Sequence, residues 1–447
     1  MEEKRERLGS RLGFILLSAG CAIGCGNVWK FPWMVGQSGG GGFVLIYVIC
    51  LLILGLPIMV MEFAMGRASQ ASPVMMYRKL EKPGQKWHLH GYLALFGNVC
   101  LMAFYSVVTG WMIYYFLKFL TGQNVGLSFG GMITNPSVNV IFLAVTVILG
   151  FGILCFKLQG GLERVTKYMM VILLLLMVVL AVNSATLDGA KEGLKFYLLP
   201  ELSKINGTVI VSAMNQAFFT LSLGIGSMAI FGSYLGKERS LMGESINIIA
   251  LDTFVALMAG FIIFPACFTY GKEVTAGPGL LFDTMAEVFN NMNGGRWWGT
   301  LFFLFMVFAA LSTALAVYEN ILACVRELTG WSRPKGCLVC GAGMFLIALT
   351  TALGYSKFSG FQPFGEGTAW LDLWDFIVSN NLLPIGSFVF ALFCCNKKFG
   401  WGWDNFLAEA NAGSGLKVKN GMKILYKYIV PVIVIFLYIY GLVDFFS

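Results

Sequence analysis

Ala19-Gly20-Cys21-Ala22-Ile23-Gly24-Cys25-Gly26-Asn27 interrupts the first hydrophobic run of a 447-residue chain. Its glycines weaken a helix and admit backbone conformations that other residues resist. The run around it, 12–37, is long enough to cross a bilayer, so the stretch is a break at about mid-depth of a span. The sixth run repeats the feature in Thr220-Leu221-Ser222-Leu223-Gly224-Ile225-Gly226. Unwound backbone in lipid is costly unless it lines a cavity where ions or substrate satisfy it. Gly clusters also let helices pack closely. Two of them five spans apart, each beside a polar residue (Asn27, Thr220), point instead to a transport site between discontinuous helices.

Composition places the whole chain in a membrane. Hydrophobic residues make up 57% and charged residues 12%, about half the charged share of an ordinary soluble domain. Runs of about 20 apolar residues are expected near 12–37, 42–68, 90–120, 137–156, 163–182, 209–235, 241–271, 296–326, 336–353, 370–396 and 423–444. The first eleven residues are charged and lack a cleavage site, which predicts a retained first helix. A net charge of +8 is scattered among these runs and argues for basic loops, with no nucleic acid as a partner. The eleven cysteines lie mostly in apolar runs as packing residues, and the Cys337–Cys340 pair lacks the further ligands of a zinc site. His88 and His90 are expected at a helix edge in an interfacial role.

With the N-terminus in the cytoplasm, 23 Lys and Arg fall inside and 7 outside, with Lys30 within the first span. That asymmetry predicts a cytoplasmic N-terminus and, after eleven spans, a C-terminus outside. The expected location is the cell's inner (plasma) membrane. Charges within or near spans (Lys30, Glu62, Asp252, Glu319, Asp375) read as functional by default, with Glu62 also readable as a structural partner. HExxH does not occur, and the GxSxG spacings Gly36-Gln37-Ser38-Gly39-Gly40 and Gly126-Leu127-Ser128-Phe129-Gly130 have no histidine base beside them in sequence, the two His residues lying outside span cores, so an enzyme is not expected.

The sequence resembles the neurotransmitter:sodium symporter family. The matching stretches are Arg11-Leu12-Gly13-Phe14, Gly24-Cys25-Gly26-Asn27-Val28-Trp29-Lys30-Phe31-Pro32, Ser38-Gly39-Gly40-Gly41 and Gly55-Leu56-Pro57. Glu62-Phe63-Ala64-Met65-Gly66-Arg67 and Phe218-Phe219-Thr220-Leu221-Ser222-Leu223-Gly224 complete them. The resemblance implies an all-α polytopic membrane protein with a LeuT-like fold. Two inverted five-helix repeats with broken helices 1 and 6 would occupy 12–182 and 209–396. A cytoplasmic N-terminal segment (1–11), an outer loop (183–208), a cytoplasmic loop (397–422) and an eleventh helix (423–447) would complete the chain.

The resemblance also implies roles. One sodium would take the Ala22 carbonyl, Asn27, Thr220, Asp252 and the substrate carboxylate. The second would take the carbonyls of Gly20, Ile23 and Ala309 with the hydroxyls of Ser312 and Thr313. Carbonyl and hydroxyl oxygens suit a hard cation. Amides near Cys25 and Gly26, with Tyr105, would hold a substrate carboxylate at a favourable helix end. Carbonyls of Ala22, Phe219 and Thr220 with the Ser222 hydroxyl would take the ammonium. Monoamine carriers of the family have Asp at position 24; Gly24 leaves room for a carboxylate and favours an amino acid. The walls Leu101, Tyr105, Phe219, Ser222, Ile225, Thr313 and Val317 are mostly apolar, which favours a hydrophobic L-amino acid.

Family members commonly have Asn where this chain has Asp252, and a chloride-binding Ser where it has Ala256; chloride is therefore not expected as a co-ion. An outer gate would pair Lys30 with Asp375, and an inner gate Arg5 with Glu327 near Tyr234. The family's Gly-to-Pro spacing in helix 5 is lost, since Gly161 is followed ten residues later by Val171. The expected partners are an amino acid and the lipid bilayer, for a monomer or homodimer. A proton-coupled carrier, with Asp252 or Glu319 titrating, and a substrate sensor on the same scaffold are the rival readings.

Overall fold

The computed structural model describes residues 8–274 and 279–447. All eleven expected runs carry helix. The continuous ones are α2 (Gly41–Ser69), α3 (His88–Leu120), α4 (Pro136–Leu154), α5 (Gln159–Ala185), α7 (Leu241–Thr269), α8 (Gly295–Thr329), α9 (Arg333–Ala352), α10 (Trp370–Cys395) and α11 (Asn420–Phe446). Each is apolar and long enough to cross a bilayer.

The other two are broken where the glycines predict. α1a (Arg11–Ala22) and α1b (Gly26–Gln37) meet at a bend of 48°. α6a (Gly207–Thr220) and α6b (Ser227–Gly232) are separated by six residues without helix. Local chemistry marks several starts: the Ser10 hydroxyl caps α1a by accepting from Gly13 N–H, and the Asn206 side chain caps α6a from Val209 N–H. α5 runs unbroken through Val171, beginning with a wider turn at Gln159–Glu163. Its Glu163 carboxylate accepts from Gly9 N–H at 2.9 Å and occupies the space a side chain at Gly13 would need, so α5 holds the start of α1a.

Hydropathy does not reveal the short helices between spans: Pro73–Leu80, Phe129–Ile133, Ala190–Leu198, Met285–Asn291 and Trp403–Ala410. They are too short to register as spans. They cover the ends of the bundle. Phe282, just before one of them, stacks on Phe129 and meets Trp29, Trp111 and Tyr115 edge-on or tilted, which caps the Lys30 end of the break. At the opposite end Arg67 of α2 is buried and donates to Glu409 Oε1 at 2.7 Å and Arg239 O at 2.7 Å, fastening the Trp403–Ala410 helix to the α6–α7 connection. His88 pairs with Glu81 at 2.7 Å at the mouth of α3, while His90 is buried against Tyr77.

Candidate functional site

The two breaks face each other inside the bundle. A Cβ on Gly26 would lie 3.1 Å from the Thr220 Cα, so any larger residue would push the two backbones apart by a few tenths of an ångström. Gln216 of α6a donates to the Gly26 carbonyl at 2.7 Å and ties the halves together. Within the second break the backbone turns left-handed at Ser222 (φ 51°), Gly224 (φ 93°) and Gly226 (φ 72°). Serine in that region is strained, as residues at functional sites often are.

Five oxygens converge where the second sodium is expected. The Thr313 hydroxyl lies 3.1 Å from Gly20 O and 3.3 Å from Ile23 O, and the Ser312 hydroxyl 3.3 Å from Ile23 O and 2.9 Å from Ala309 O. Gly20 and Ile23 end α1a, so their carbonyls have lost their helical acceptor role to the break. Ser312 and Thr313 come from mid-α8 and are buried. A hard cation held at about 2.4 Å by such oxygens sets neighbouring ligands roughly 3.4 Å apart. The cluster therefore fits a small cation with an expansion of only tenths of an ångström.

A second cluster forms from three helices around Asp252. Asn27 Nδ2 donates to Asp252 Oδ1 at 2.9 Å and to its carbonyl at 3.0 Å. The Thr220 hydroxyl donates to Asn27 Oδ1 at 3.0 Å and lies 3.3 Å from Asp252 Oδ1. Gly24 N–H also donates to Asn27 Oδ1, at 3.1 Å. All three side chains are buried, and the polar contacts of the Asp252 carboxylate are neutral amide and hydroxyl groups. A buried carboxylate without a cationic side chain attracts a cation or a proton. Ala22, expected in this set, is buried at the last turn of α1a. Ala256, one turn after Asp252, is fully buried and offers no hydroxyl.

The expected substrate groups are also gathered, with three differences. Tyr105 OH accepts from Cys25 N–H at 2.8 Å, so the amide assigned to a carboxylate is held by the tyrosine assigned to the same carboxylate. The Ser222 hydroxyl donates to Cys21 O at 3.4 Å. The room that Gly24 leaves is filled: a Cβ there would meet Thr313 Oγ1 at 2.2 Å and Tyr105 OH at 2.3 Å. Position 24 must be glycine here because the two hydroxyls close over it. Leu101, Phe219, Ile225 and Val317 are all buried around this point.

On one side of the site, Lys30 Nζ reaches Asp375 at 2.6 and 2.7 Å and Ser379 Oγ at 3.0 Å. The same ammonium sits 4.3 Å above the Phe219 ring, so the expected outer pair is formed and presses on a pocket wall. On the other side, Arg5 lies outside the described residues. Glu327 accepts from Ser72 N–H at 3.0 Å and Ser72 Oγ at 2.6 Å, and Tyr234 OH donates to Glu319 at 3.0 Å. Glu319 forms a buried two-point ion pair with Arg333, at 2.5 and 3.2 Å. That pairing gives Glu319 a structural partner.

Several buried polar residues hold the second break, and of these the sequence reading marked only Glu62, as a functional charge or a structural partner. Glu62 Oε1 accepts from Gly224 N–H at 2.6 Å and Oε2 from Met228 N–H at 3.2 Å, which settles it as a clamp on the break. Gln216, Asn98 and Asn320 are buried polar residues within apolar runs, and that mismatch was the available signal.

Comparisons agree with this geometry. The family model described as the Sodium:neurotransmitter symporter family matches residues 5–128 and 125–447. An uncharacterized sodium-dependent transporter of Bacillus subtilis is 36% identical, covering 99% of this chain and 100% of its own. The sodium-dependent serotonin transporter of Drosophila melanogaster is 25% identical, covering 99% of this chain and 77% of its own. The crystal structure of MhsT in complex with L-phenylalanine superposes with a TM-score of 0.90 at 33% identity, covering 98% of this chain and 100% of that one.

Proposed function

We propose that this chain, which belongs to the sodium:neurotransmitter symporter family, couples inward sodium movement to uptake of a hydrophobic L-amino acid by alternating access. Its class is that of a sodium-dependent membrane transporter with the LeuT-like fold, two inverted five-helix repeats and an eleventh helix. The observation that carries the finer reading is the five-oxygen cluster of Gly20, Ile23, Ala309, Ser312 and Thr313 beside a second cluster on Asp252. Two cation sites of this kind, one sharing Thr220 and the Gly24 region with the apolar pocket, link ion binding to substrate binding.

In this reading Tyr105 and the amides at Cys25 and Gly26 hold the substrate carboxylate, which completes the Asn27–Thr220–Asp252 sphere. The ammonium meets the carbonyls of Ala22, Phe219 and Thr220. Leu101, Ile225 and Val317 enclose the side chain. An amino acid as ligand is supported by the phenylalanine held by MhsT. Asp252 supplies the negative charge that an anion would otherwise bring, so transport is chloride-independent. Lys30–Asp375 closes the outer path, and Arg5, Glu327 and Tyr234 the inner one. The N-terminus is cytoplasmic and the C-terminus outside the plasma membrane.

Purified protein in liposomes, given a sodium gradient or a proton gradient separately, tests the coupling. Labelled leucine or phenylalanine accumulates under sodium and is unaffected when gluconate replaces chloride. Accumulation under protons alone would sink the sodium reading and favour the titration of Asp252, whose contacts are all neutral.

A further inference from the structure

The carbonyl of Ile225, in the α6 break, has no helical partner and would be costly to bury unpaired. It accepts a 2.8 Å hydrogen bond from Asn98 Nδ2 on α3. The other hydrogen of that amide goes to Ala94 O at 2.8 Å. Asn98 Oδ1 accepts from Ser227 Oγ at 3.0 Å and from Asn320 Nδ2 at 3.1 Å. A carboxamide has two donors and an oxygen with two lone pairs, so all four positions are used. Asn98, Ser227 and Asn320 are 1%, 0% and 0% exposed, in a setting where no water replaces a lost bond.

The placement of this knot matters more than its cohesion. Residues 98, 101 and 105 share a face of α3, and 313, 317 and 320 share a face of α8, by helical spacing. Ser227 opens α6b two residues after Ile225. One side chain thus joins the three elements that carry Leu101, Tyr105, Ile225, Thr313 and Val317. Gly97 completes the fit, because a Cβ there would lie 2.7 Å from Ile225 Cγ2. The Ile225 side chain therefore rests against the α3 backbone while Asn98 holds its carbonyl.

We infer that Asn98 is a positioning residue that sets amino-acid selectivity, by fixing the distance of Ile225 from Leu101 and Val317. The inference rests on the substrate pocket proposed above. A pocket wall displaced by part of a methylene group discriminates between small and large apolar side chains, with little bearing on ligands that bind elsewhere. The sodium cluster at Gly20, Ile23, Ala309, Ser312 and Thr313 receives no bond from Asn98. Selectivity and sodium affinity should then separate.

The test uses the full-length protein with Asn98→Leu, and with Asn320→Leu as a variant that retains the Asn98–Ile225 bond. Alanine, leucine, phenylalanine and tryptophan compete against one labelled amino acid, sodium is titrated, and amide hydrogen exchange is followed over 221–228. Asn98→Leu is expected to change the phenylalanine-to-leucine affinity ratio by about tenfold and sodium half-saturation by less than about twofold. Exchange over 221–228 rises while 207–220 is unchanged. Asn320→Leu shifts the ratio by less than about threefold.

An equal loss for every amino acid and for sodium would assign Asn98 to cohesion alone and overturn the inference; so would an unchanged ratio. If the unaltered protein binds none of the four amino acids, the substrate reading fails. Exchange over 221–228 still reports on the tether, and unchanged exchange rejects it. Should Asn98→Leu not fold, Asn98→Asp, which retains the shape but loses the amide donors, is read by the same criteria.

Discussion

The breaks in α1 and α6 solve one problem in two ways. Both leave backbone groups outside the helical ladder in a buried interior, and the partners those groups find differ in kind. At the α1 break the carbonyls of Gly20 and Ile23 meet, among the described residues, the small hydroxyls of Ser312 and Thr313 at 3.1–3.3 Å. A hydroxyl that rotates away offers its lone pairs instead, so a cation can enter without stranding a donor. At the α6 break a carboxylate and a carboxamide, Glu62 and Asn98, take two amides and a carbonyl outright. Those groups cannot be exchanged for a ligand without leaving a buried polar atom unmet. The Gly20 and Ile23 carbonyls of the first break are placed to be occupied, while the amides of Gly224 and Met228 and the Ile225 carbonyl at the second are held in shape. Asp252 stands between them, bonded to Asn27 of the first and Thr220 of the second.

Four substitutions would break or sharpen that contrast. The largest effect is expected from Glu62→Ala, which strands two buried N–H groups and should lower stability by about 2–6 kcal/mol. Thermal unfolding in detergent should show the same loss with and without sodium. A loss that sodium repairs would place Glu62 with the exchangeable groups. Asp252→Asn comes next. Removing the carboxylate charge of its cluster should weaken sodium binding on the order of 10²-fold, read from sodium titration of uptake. Unaltered titration would detach Asp252 from ion binding.

Thr313→Ala removes one of five oxygens. Sodium-dependent stabilisation should shrink by the equivalent of about tenfold in affinity. Stability without sodium should change by only about 1 kcal/mol, since a lone hydroxyl bond contributes no more. If sodium-free stability fell as far as in Glu62→Ala, the two breaks would not differ as described. Lys30→Gln is the mildest. The pair it removes lies partly in solvent, with side chains 9% and 26% exposed. Substrate release should quicken by about two- to fivefold, measured by dilution of bound label. A hundredfold change would make the outer pair a determinant of binding.

Much of this was legible along the chain because its signals are local. Eleven spans follow from apolar length, and both breaks from glycines inside them. Asn27, Thr220 and Asp252 stood out as polar residues in apolar runs and Ser312 and Thr313 through the resemblance, and the structure brings them into two clusters. Glu62 was visible as a charge in a span, though not as the partner of amides 162 and 166 residues away. The left-handed turn at Ser222 had no sequence mark, because serine gives no reason to expect φ of 51°. Gly24 was read as space for a ligand, and the structure fills that space with Tyr105 and Thr313.

From the sequence alone came the membrane, the number of spans, the two interruptions and the polar residues beside them. Span length and glycine content act within one segment, and a bilayer imposes the same demand on every such segment. Tertiary structure decided which interrupted groups are met by rigid side chains and which by hydroxyls a cation can turn. That depends on donors and acceptors brought together from α2, α3, α6 and α8, and in a buried interior each polar atom must find its partner wherever the fold places one.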